Sequence, residues 1–139
     1  MRVIHYLSVL MVLWFLASCI GKRTEANRTG IDSTHTREYI AKISLQEPER
    51  ALAIIDTMEM NKEERPYAIN YLRFVVYNNG FADYKMADYY GKQVLKDSVE
   101  LKKDIKRYYT LLNTLASIAN SNSQFAQSII YAKKAAEIA

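Results

Sequence analysis

Apolar residues recur along this chain at spacings of three and four, which is the periodicity of an amphipathic α-helix. After residue 35 there is no convincing two-residue alternation of the kind that marks a half-buried strand. Short polar stretches interrupt the helical pattern at short intervals. We therefore predict an all-α domain over residues 36–139, built from six helices joined by short turns.

Helix-start and helix-stop residues give approximate limits for the first three predicted helices. The first covers residues 36–44, and the second begins near Pro48, because a proline in the first turn loses no intrahelical hydrogen bond. The third begins within residues 62–66 and ends at Asn79 and Gly80. Gly80 suits the left-handed residue that closes many helices.

Capping signals delimit the last three predicted helices. The fourth covers residues 83–94. Asp97 and Glu100 have the spacing of a capping box, so they predict the start of the fifth helix, whose apolar residues run over 105–119. The polar residues 121–124 predict the cap of the sixth.

The first nineteen residues have the layout of a secretory signal peptide. A short basic start (MR) precedes an almost unbroken apolar run at residues 7–16, and small residues precede Cys19. The apolar run is well short of the roughly 20 residues that a helix needs to cross a bilayer. We therefore predict a cleaved signal peptide over residues 1–18 rather than a membrane-spanning helix.

Residues 16–19 (LASC) resemble the lipobox of bacterial lipoproteins. The resemblance implies that Cys19 becomes the diacylated N-terminus after cleavage, so that the exported chain is anchored to the cell envelope by lipid. Ile20 is not acidic, which by analogy with enterobacterial sorting implies the outer membrane, with the domain facing the periplasm. Residues 19–35 contain almost no large apolar groups and predict a flexible tether.

Composition and charge exclude several classes of protein. Half of the residues are apolar, with eleven Tyr but only four Gly and two Pro, which is unlike a disordered chain. The net charge of +4 is modest, and an acid and an apolar residue interrupt the densest basic run, residues 102–107. Nucleic-acid binders usually concentrate Lys and Arg on one face, so we predict no nucleic-acid partner.

The last predicted hairpin resembles the tetratricopeptide repeat, which spaces large and small apolar residues along two helices. Ala116 falls on the small position where the two helices touch, and Ser128 and Ala135 fall on small positions of the second helix. The middle hairpin matches over residues 71–94 and the first over residues 48–55. The resemblance implies an α-α superhelix of about three antiparallel helix hairpins behind the N-terminal signal helix and flexible linker.

The sequence offers little catalytic chemistry. Of its two histidines, His5 lies in the leader and His35 in the tether, and no phosphate-binding glycine loop or nucleophile motif is present. Acidic residues near the predicted turn at residues 59–64 suit helix capping and the helix dipole. We predict no enzyme activity, no metal site and no cofactor.

A binding groove is the functional feature that the repeat resemblance implies. In tetratricopeptide arrays the first helix of each hairpin lines a concave groove, and short amide and hydroxyl side chains there bind a peptide backbone without imposing charge. Ordinary surface or inter-repeat contacts are the alternative role for such residues. The groove residues that the resemblance implies here are Thr110, Asn113, Ser117 and Asn120 on the fifth predicted helix, and Arg73 and Asn79 on the third.

Two other functions are consistent with the sequence. Residues 48–56 and 71–90 resemble the helical-repeat sensor regions of Bacteroidetes lipoproteins and membrane-bound histidine kinases or regulators, which would make the chain an orphan or truncated sensor. The chain also ends within a predicted helix without a polar capping helix, as expected of a truncated reading frame or of a partner covering the last hairpin. Alternatively, exposed Tyr89 and Tyr109 would serve a small glycan-binding outer-membrane lipoprotein, although most tyrosines are expected to pack in the core.

The lipid anchor is directly testable by replacing the cysteine that carries it. We expect Cys19→Ser to leave the protein unlipidated and soluble, because the hydroxyl replaces the thiol that the anchor requires. Membrane fractionation and mass spectrometry of the mature N-terminus would measure this, and retention of the variant in the membrane would refute the anchor.

Overall fold

The computed structural model describes residues 36–139, which consist of helices and the turns that join them. No strand occurs in this part of the chain, so the all-α prediction is confirmed there. The predicted signal peptide, Cys19 and tether lie outside the described residues. No helix within 36–139 combines the length and apolarity needed to cross a bilayer. In chain order the helices are α1 (Arg37–Ile43), α2 (Pro48–Met60), α3 (Pro66–Asn79), α4 (Tyr84–Lys96), α5 (Ser98–Leu101), α6 (Ile105–Ser121) and α7 (Phe125–Ala136).

Several predicted helix starts are confirmed by their capping contacts. The Thr36 side chain accepts a hydrogen bond from the backbone N–H of Tyr39 at 3.2 Å, at the start of α1. Pro48 lies in the first turn of α2. Asp83 accepts from the backbone N–H of Met86 at 3.0 Å at the start of α4. The hydrogen bonds of Thr36 and Asp83 each satisfy a backbone N–H group that has no partner within its own helix.

The predicted start of the fifth helix at Asp97 is wrong. Asp97 is the C-cap that follows the last residue of α4, and the next four residues form the separate short helix α5. The cap of the long helix α6 is Asp104, which accepts from the backbone N–H of Arg107 at 3.1 Å. Glu100 does not complete a capping box, because its carboxylate pairs with Lys103 at 2.8 Å. A capping-box spacing does not distinguish a one-turn helix from a long one.

Gly80 does not have the predicted left-handed conformation. Its φ is −88°, and the left-handed residue of this turn is Ala82, with φ of 51°. A Cβ on Gly80 would collide with the carbonyl oxygen of Ser44 and would lie 2.7 Å from Cβ of Pro48. Glycine at this position therefore permits a close approach between the end of α3 and the turn from α1 to α2.

Three helix pairs, α1 with α2, α3 with α4 and α6 with α7, are each joined by a short turn and packed together. Successive pairs are also in contact, α2 with α3 and α4 with α6. Buried side chains form two clusters. The first cluster joins α1, α2 and one side of α3, and comprises Ile40, Ile43, Ala51, Ile55, Met58, Ile69, Leu72 and Val76. The second joins the other side of α3 to α4, α5, α6 and α7, and includes Phe74, Ala87, Val94, Leu101, Leu112, Leu115 and Tyr131.

Small residues lie at close contacts between the helices of the second and third pairs. The Ser128 hydroxyl donates a 2.9 Å hydrogen bond to the carbonyl oxygen of Ala116, which links α7 to α6. A Cβ on Gly91 of α4 would lie only 2.8 Å from Cδ2 of Leu115 and 3.2 Å from Cδ2 of Phe74. These contacts set how closely α4 packs on α3 and α6.

Gly80→Ala tests the close approach at the end of α3. We expect the free energy of unfolding to fall by about 1–3 kcal/mol, because the added methyl group would overlap the carbonyl oxygen of Ser44 and crowd Cβ of Pro48. Urea unfolding followed by circular dichroism would measure the change.

The neighbouring substitution Asn79→Ala is the matched control, because Asn79 is exposed at the last position of the same helix. We expect its effect to stay within about 0.5 kcal/mol. Equal stability of the Gly80→Ala variant and the wild type would contradict the steric account.

Candidate functional site

A cleft of about 400 Å³ lies between α6 and the end of the α3–α4 hairpin. The residues that line it are Asn78, Tyr84, Asn113, Thr114, Ser117, Ile118 and Ser121. None of these side chains carries a charge at neutral pH. Five of the seven end in an amide or an aliphatic hydroxyl, so the cleft offers hydrogen-bond donors and acceptors of short reach.

Helix periodicity explains why α6 contributes most of this lining. Thr114, Ser117 and Ser121 are separated by three and four residues, so they lie on one stripe of the helix. Ile118 lies beside them but is almost fully buried, so it forms part of the apolar floor. Tyr84 begins α4 and is 50% exposed, which places an aromatic ring at the edge of the cleft.

The structure brings two of the four predicted α6 groove residues into the cleft. All four are exposed, as expected for one surface stripe. Asn113 and Ser117 line the cleft, whereas Thr110 and Asn120 do not. The Thr110 hydroxyl instead donates a 2.9 Å hydrogen bond to the carbonyl oxygen of Lys106, one turn earlier in the same helix.

Arg73, a predicted groove residue of α3, lies away from this cleft. Its guanidinium donates to Asp56 and to Glu59 of α2, each at 2.7 Å, and lies 5.7 Å from the ring centroid of Tyr90 on α4. The hydrogen bond to Glu59 raises the pKa of Arg73, so the side chain stays charged. Only 14% of the side chain is exposed. In this position Arg73 joins α2, α3 and α4.

Asn79, the other predicted residue of α3, is exposed and does not line the cleft. Its side-chain oxygen accepts a 2.7 Å hydrogen bond from the amide of Asn78, which is the α3 residue in the lining. Asn79 is therefore in contact with a lining residue and orients its amide.

Packing on both sides of α3 explains why its predicted groove face is not open. Ile69, Leu72 and Val76 share that face in the sequence pattern, but all three are buried against α1 and α2. A middle helix buries two opposite sides, which leaves a narrow exposed strip between them. The sequence pattern of α3 does not show where that strip lies.

A second cleft, of about 230 Å³, lies along the same two helices and includes α1. Its lining includes Arg37, Tyr71 and Arg107. Tyr71 and Arg107 each precede a lining residue of the first cleft, Asn78 and Thr114, by seven positions (78 − 71 = 7 and 114 − 107 = 7). The two clefts therefore follow one another along α3 and α6, about two helical turns apart.

The arginines of the second cleft already have acidic partners. Arg37 makes two hydrogen bonds to Glu64, at 2.9 and 2.7 Å, which raise the pKa of its guanidinium. Arg107 lies 3.2 Å from the carboxylate of Asp104 and 6.0 Å from the ring centroid of Tyr71. Burial raises the pKa of the Tyr71 hydroxyl. The charges of this cleft are thus largely neutralised within the domain.

Five lining residues of the first cleft were missed by the sequence analysis: Asn78, Tyr84, Thr114, Ile118 and Ser121. The stripe formed by Thr114, Ser117 and Ser121 has the same spacing as the predicted one but is rotated around α6 toward α3. Polar residues cover both stripes, so only the position of the neighbouring helix distinguishes them. The sequence contains a signal for a polar face but none for its exact direction.

The two tyrosines of the glycan-binding alternative are each about half exposed. Tyr89 lies on α4 and makes an edge-to-face contact with Tyr90 at 5.1 Å, whereas Tyr109 lies on α6. Neither lines either of the two clefts. Residues 36–139 also contain no group of three or more His, Cys, Asp or Glu side chains placed to hold a metal ion.

Comparison with protein-family models, with curated proteins and with solved structures found no match for this chain. The function has therefore to be inferred from the lining of the α3–α6 cleft and from the motif that ends at Cys19.

Proposed function

We propose that this chain is a non-enzymatic, lipid-anchored scaffold of the cell envelope that binds an extended segment of a protein or peptide. The observation that carries the proposal is the uncharged polar cleft between α3 and α6. An extended backbone presents alternating N–H and C=O groups that require partners when they leave water. Amides and hydroxyls supply both kinds of partner.

Individual lining residues have distinct roles in this proposal. The amides of Asn78 and Asn113 each offer both a donor and an acceptor to a backbone peptide group. The hydroxyls of Thr114 and Ser117 add shorter contacts. From residue 113 to residue 121, α6 spans about 12 Å, which corresponds to roughly four residues of an extended peptide.

The absence of charge in the lining favours uncharged peptide segments. An ionised side chain entering the cleft would lose water without gaining an opposite charge, which is costly. Tyr84 at the edge offers an apolar ring and a hydroxyl to a bound side chain. The selected segment is therefore polar or mildly apolar, with its charged residues outside the cleft.

The tetratricopeptide-like superhelix is part of the same proposal. It is supported by three helix pairs in chain order, by their successive contacts and by the Ser128–Ala116 contact at the positions where the repeat has small residues. In such an array the first helix of each pair lines the concave side. Helices α3 and α6 are the first helices of the second and third pairs, and the cleft lies between them.

The anchor part of the proposal rests on residues 16–19 and the predicted tether. A lipid on Cys19 would hold the domain at the envelope membrane, with the outer membrane as the expected site and the periplasm as the compartment. For a flexible segment over residues 19–35, the mean reach is about 20–25 Å. The domain would therefore meet its partner close to the membrane surface.

Binding through the cleft is testable with peptides selected from a random dodecapeptide phage library on the full-length protein in detergent. We expect the double variant Asn113→Ala/Ser117→Ala to bind the selected peptides about tenfold more weakly, because it removes two side chains that hydrogen-bond the peptide. Fluorescence anisotropy with labelled synthetic peptides would measure the affinity.

The matched control is the double variant Thr110→Ala/Asn120→Ala, which removes the same two kinds of group from the same exposed stripe but outside the cleft. We expect its affinity to stay within about twofold of wild type, a change below about 0.4 kcal/mol. Equal losses in both double variants, or no selected peptide at all, would contradict cleft binding.

A further inference from the structure

Most polar side chains of the α3–α6 cleft carry hydrogen-bonding groups that no protein atom uses. Elsewhere in the described residues, hydroxyl groups donate to backbone carbonyl oxygens, as do those of Ser44, Thr57, Thr110 and Ser128. Within residues 36–139, by contrast, four lining side chains of the cleft have no hydrogen-bond partner: Asn113, Thr114, Ser117 and Ser121. Water solvates such groups, and a ligand with matching groups replaces that water.

Tyr84 adds an aromatic ring to this polar lining. The ring is 50% exposed, and no other aromatic ring within residues 36–139 stacks on it. The turn before α4 holds the backbone of Tyr84 in place, because the Asp83 side chain accepts a 3.0 Å hydrogen bond from the backbone N–H of Met86. The ring is therefore available to a ligand at the edge of the cleft.

We propose that the α3–α6 cleft binds a neutral saccharide of one or two rings, in addition to the extended segment assigned to it above. A sugar ring carries hydroxyl groups, each of which donates and accepts, and it also presents a face of C–H groups. The hydroxyls match the amides and hydroxyls of the cleft. The C–H face matches the electron-rich face of the Tyr84 ring. The saccharide site does not depend on peptide binding, although the two ligands would compete.

The spacing of the lining residues on α6 suits a sugar ring. Asn113, Ser117 and Ser121 follow one another at intervals of four residues, which separates successive members by about 6 Å along the helix. Hydroxyl groups on opposite sides of one sugar ring are separated by a similar distance. Two successive members of this row therefore reach the same ring from two directions.

Asn78 supplies a further polar group from α3, on the other side of the cleft. Its Nδ2 donates a 2.7 Å hydrogen bond to Oδ1 of Asn79, which holds the amide in one orientation. The side-chain oxygen of Asn78 remains as an acceptor for a ligand hydroxyl. Polar groups from two helices therefore converge on the space in the cleft.

The volume of the cleft and its lack of charge narrow the class of saccharide. Its volume of about 400 Å³ lies toward the lower end of the roughly 300–1,000 Å³ of small-ligand sites. No lining side chain is ionised at neutral pH, so a sugar carboxylate or phosphate would lose water without gaining an opposite charge. A neutral monosaccharide or disaccharide therefore fits the cleft better than an acidic or a long glycan.

The affinity is expected to be weak, because each hydrogen bond to the ligand replaces one to water. We expect a dissociation constant on the order of a millimolar for the best disaccharide. Saturation-transfer NMR suits this range, because it detects a ligand that exchanges rapidly. The full-length protein is measured in a non-ionic detergent without a sugar headgroup, since such a headgroup would itself occupy the cleft.

The probes are four neutral disaccharides: maltose, cellobiose, lactose and N,N′-diacetylchitobiose. Each is added up to about 10 mM, which is roughly tenfold above the expected dissociation constant. We expect at least one of them to bind, with magnetisation transferred to its ring C–H protons. Binding of none of the four would overturn the proposal.

Tyr84→Ala tests whether the sugar lies in the α3–α6 cleft. We expect this variant to bind the same disaccharide at least about fivefold more weakly, because stacking on the ring is lost, and we expect Tyr84→Trp to restore binding. The matched control is Tyr89→Ala, which removes a tyrosine of the same helix that is 51% exposed but does not line the cleft. We expect the control to stay within about twofold of wild type. Equal losses in the two alanine variants would place the sugar elsewhere and overturn the proposal.

Failure of the saccharide site and failure of the proposed function are distinguishable. Peptide selection requires no sugar, and the NMR measurement requires no peptide. Disaccharide binding that depends on Tyr84, without any selected peptide, would support the saccharide site and contradict the proposed function. Selected peptides without disaccharide binding would have the opposite meaning.

Discussion

Helix α3 is the element on which the rest of the domain depends, because it contributes buried side chains to both core clusters. Ile69, Leu72 and Val76 pack against α1 and α2, while Phe74 packs on the opposite side against α4 and α6. Burying a side chain of this size stabilises by about 1.5–3 kcal/mol, so these four contribute roughly 6–12 kcal/mol as an upper estimate. That is comparable to the whole stability of a typical domain. Without α3 the outer helix pairs would share no core.

Two glycines and one arginine allow α3 and α4 to pack closely on their neighbours. Gly80 lets the end of α3 approach the turn that follows α1, and Gly91 lets α4 approach Leu115 of α6. Arg73 adds a polar link by pairing with Asp56 and Glu59 of α2. Of these contacts, the one at Gly91 lies against both Phe74 of α3 and Leu115 of α6, so in a close-packed interior it helps to set the spacing of these two helices. A residue that does not line the cleft therefore contributes to its width.

Two of the seven residues that line the candidate site were predictable from helical periodicity. Asn113 and Ser117 belong to a polar stripe that is visible in the sequence, and both line the cleft. Thr114 and Ser121 belong to a second polar stripe on the same helix, and Tyr84 lies on α4, the helix that pairs with α3. Periodicity gives the angles of side chains around one helix, but the angle at which a second helix lies against it depends on long-range packing. Arg73 shows the same limit, since no local pattern pairs it with acids 14 and 17 positions earlier.

Local patterns alone were sufficient for the all-α class and for most helix limits, because periodicity and caps such as Pro48 and Asp83 act over only a few residues. They misassigned the start of α6 and the conformation of Gly80. Asp97 and Asp104 are both candidate caps, and the long helix begins after Asp104, with Leu101 buried between the two. At Gly80 the reason for glycine is a carbonyl group 36 positions earlier in the chain (80 − 44 = 36). Which polar residues share a cleft was decided only when the helices packed. The cleft depends on contacts between residues that are distant in sequence, and no local preference encodes those contacts.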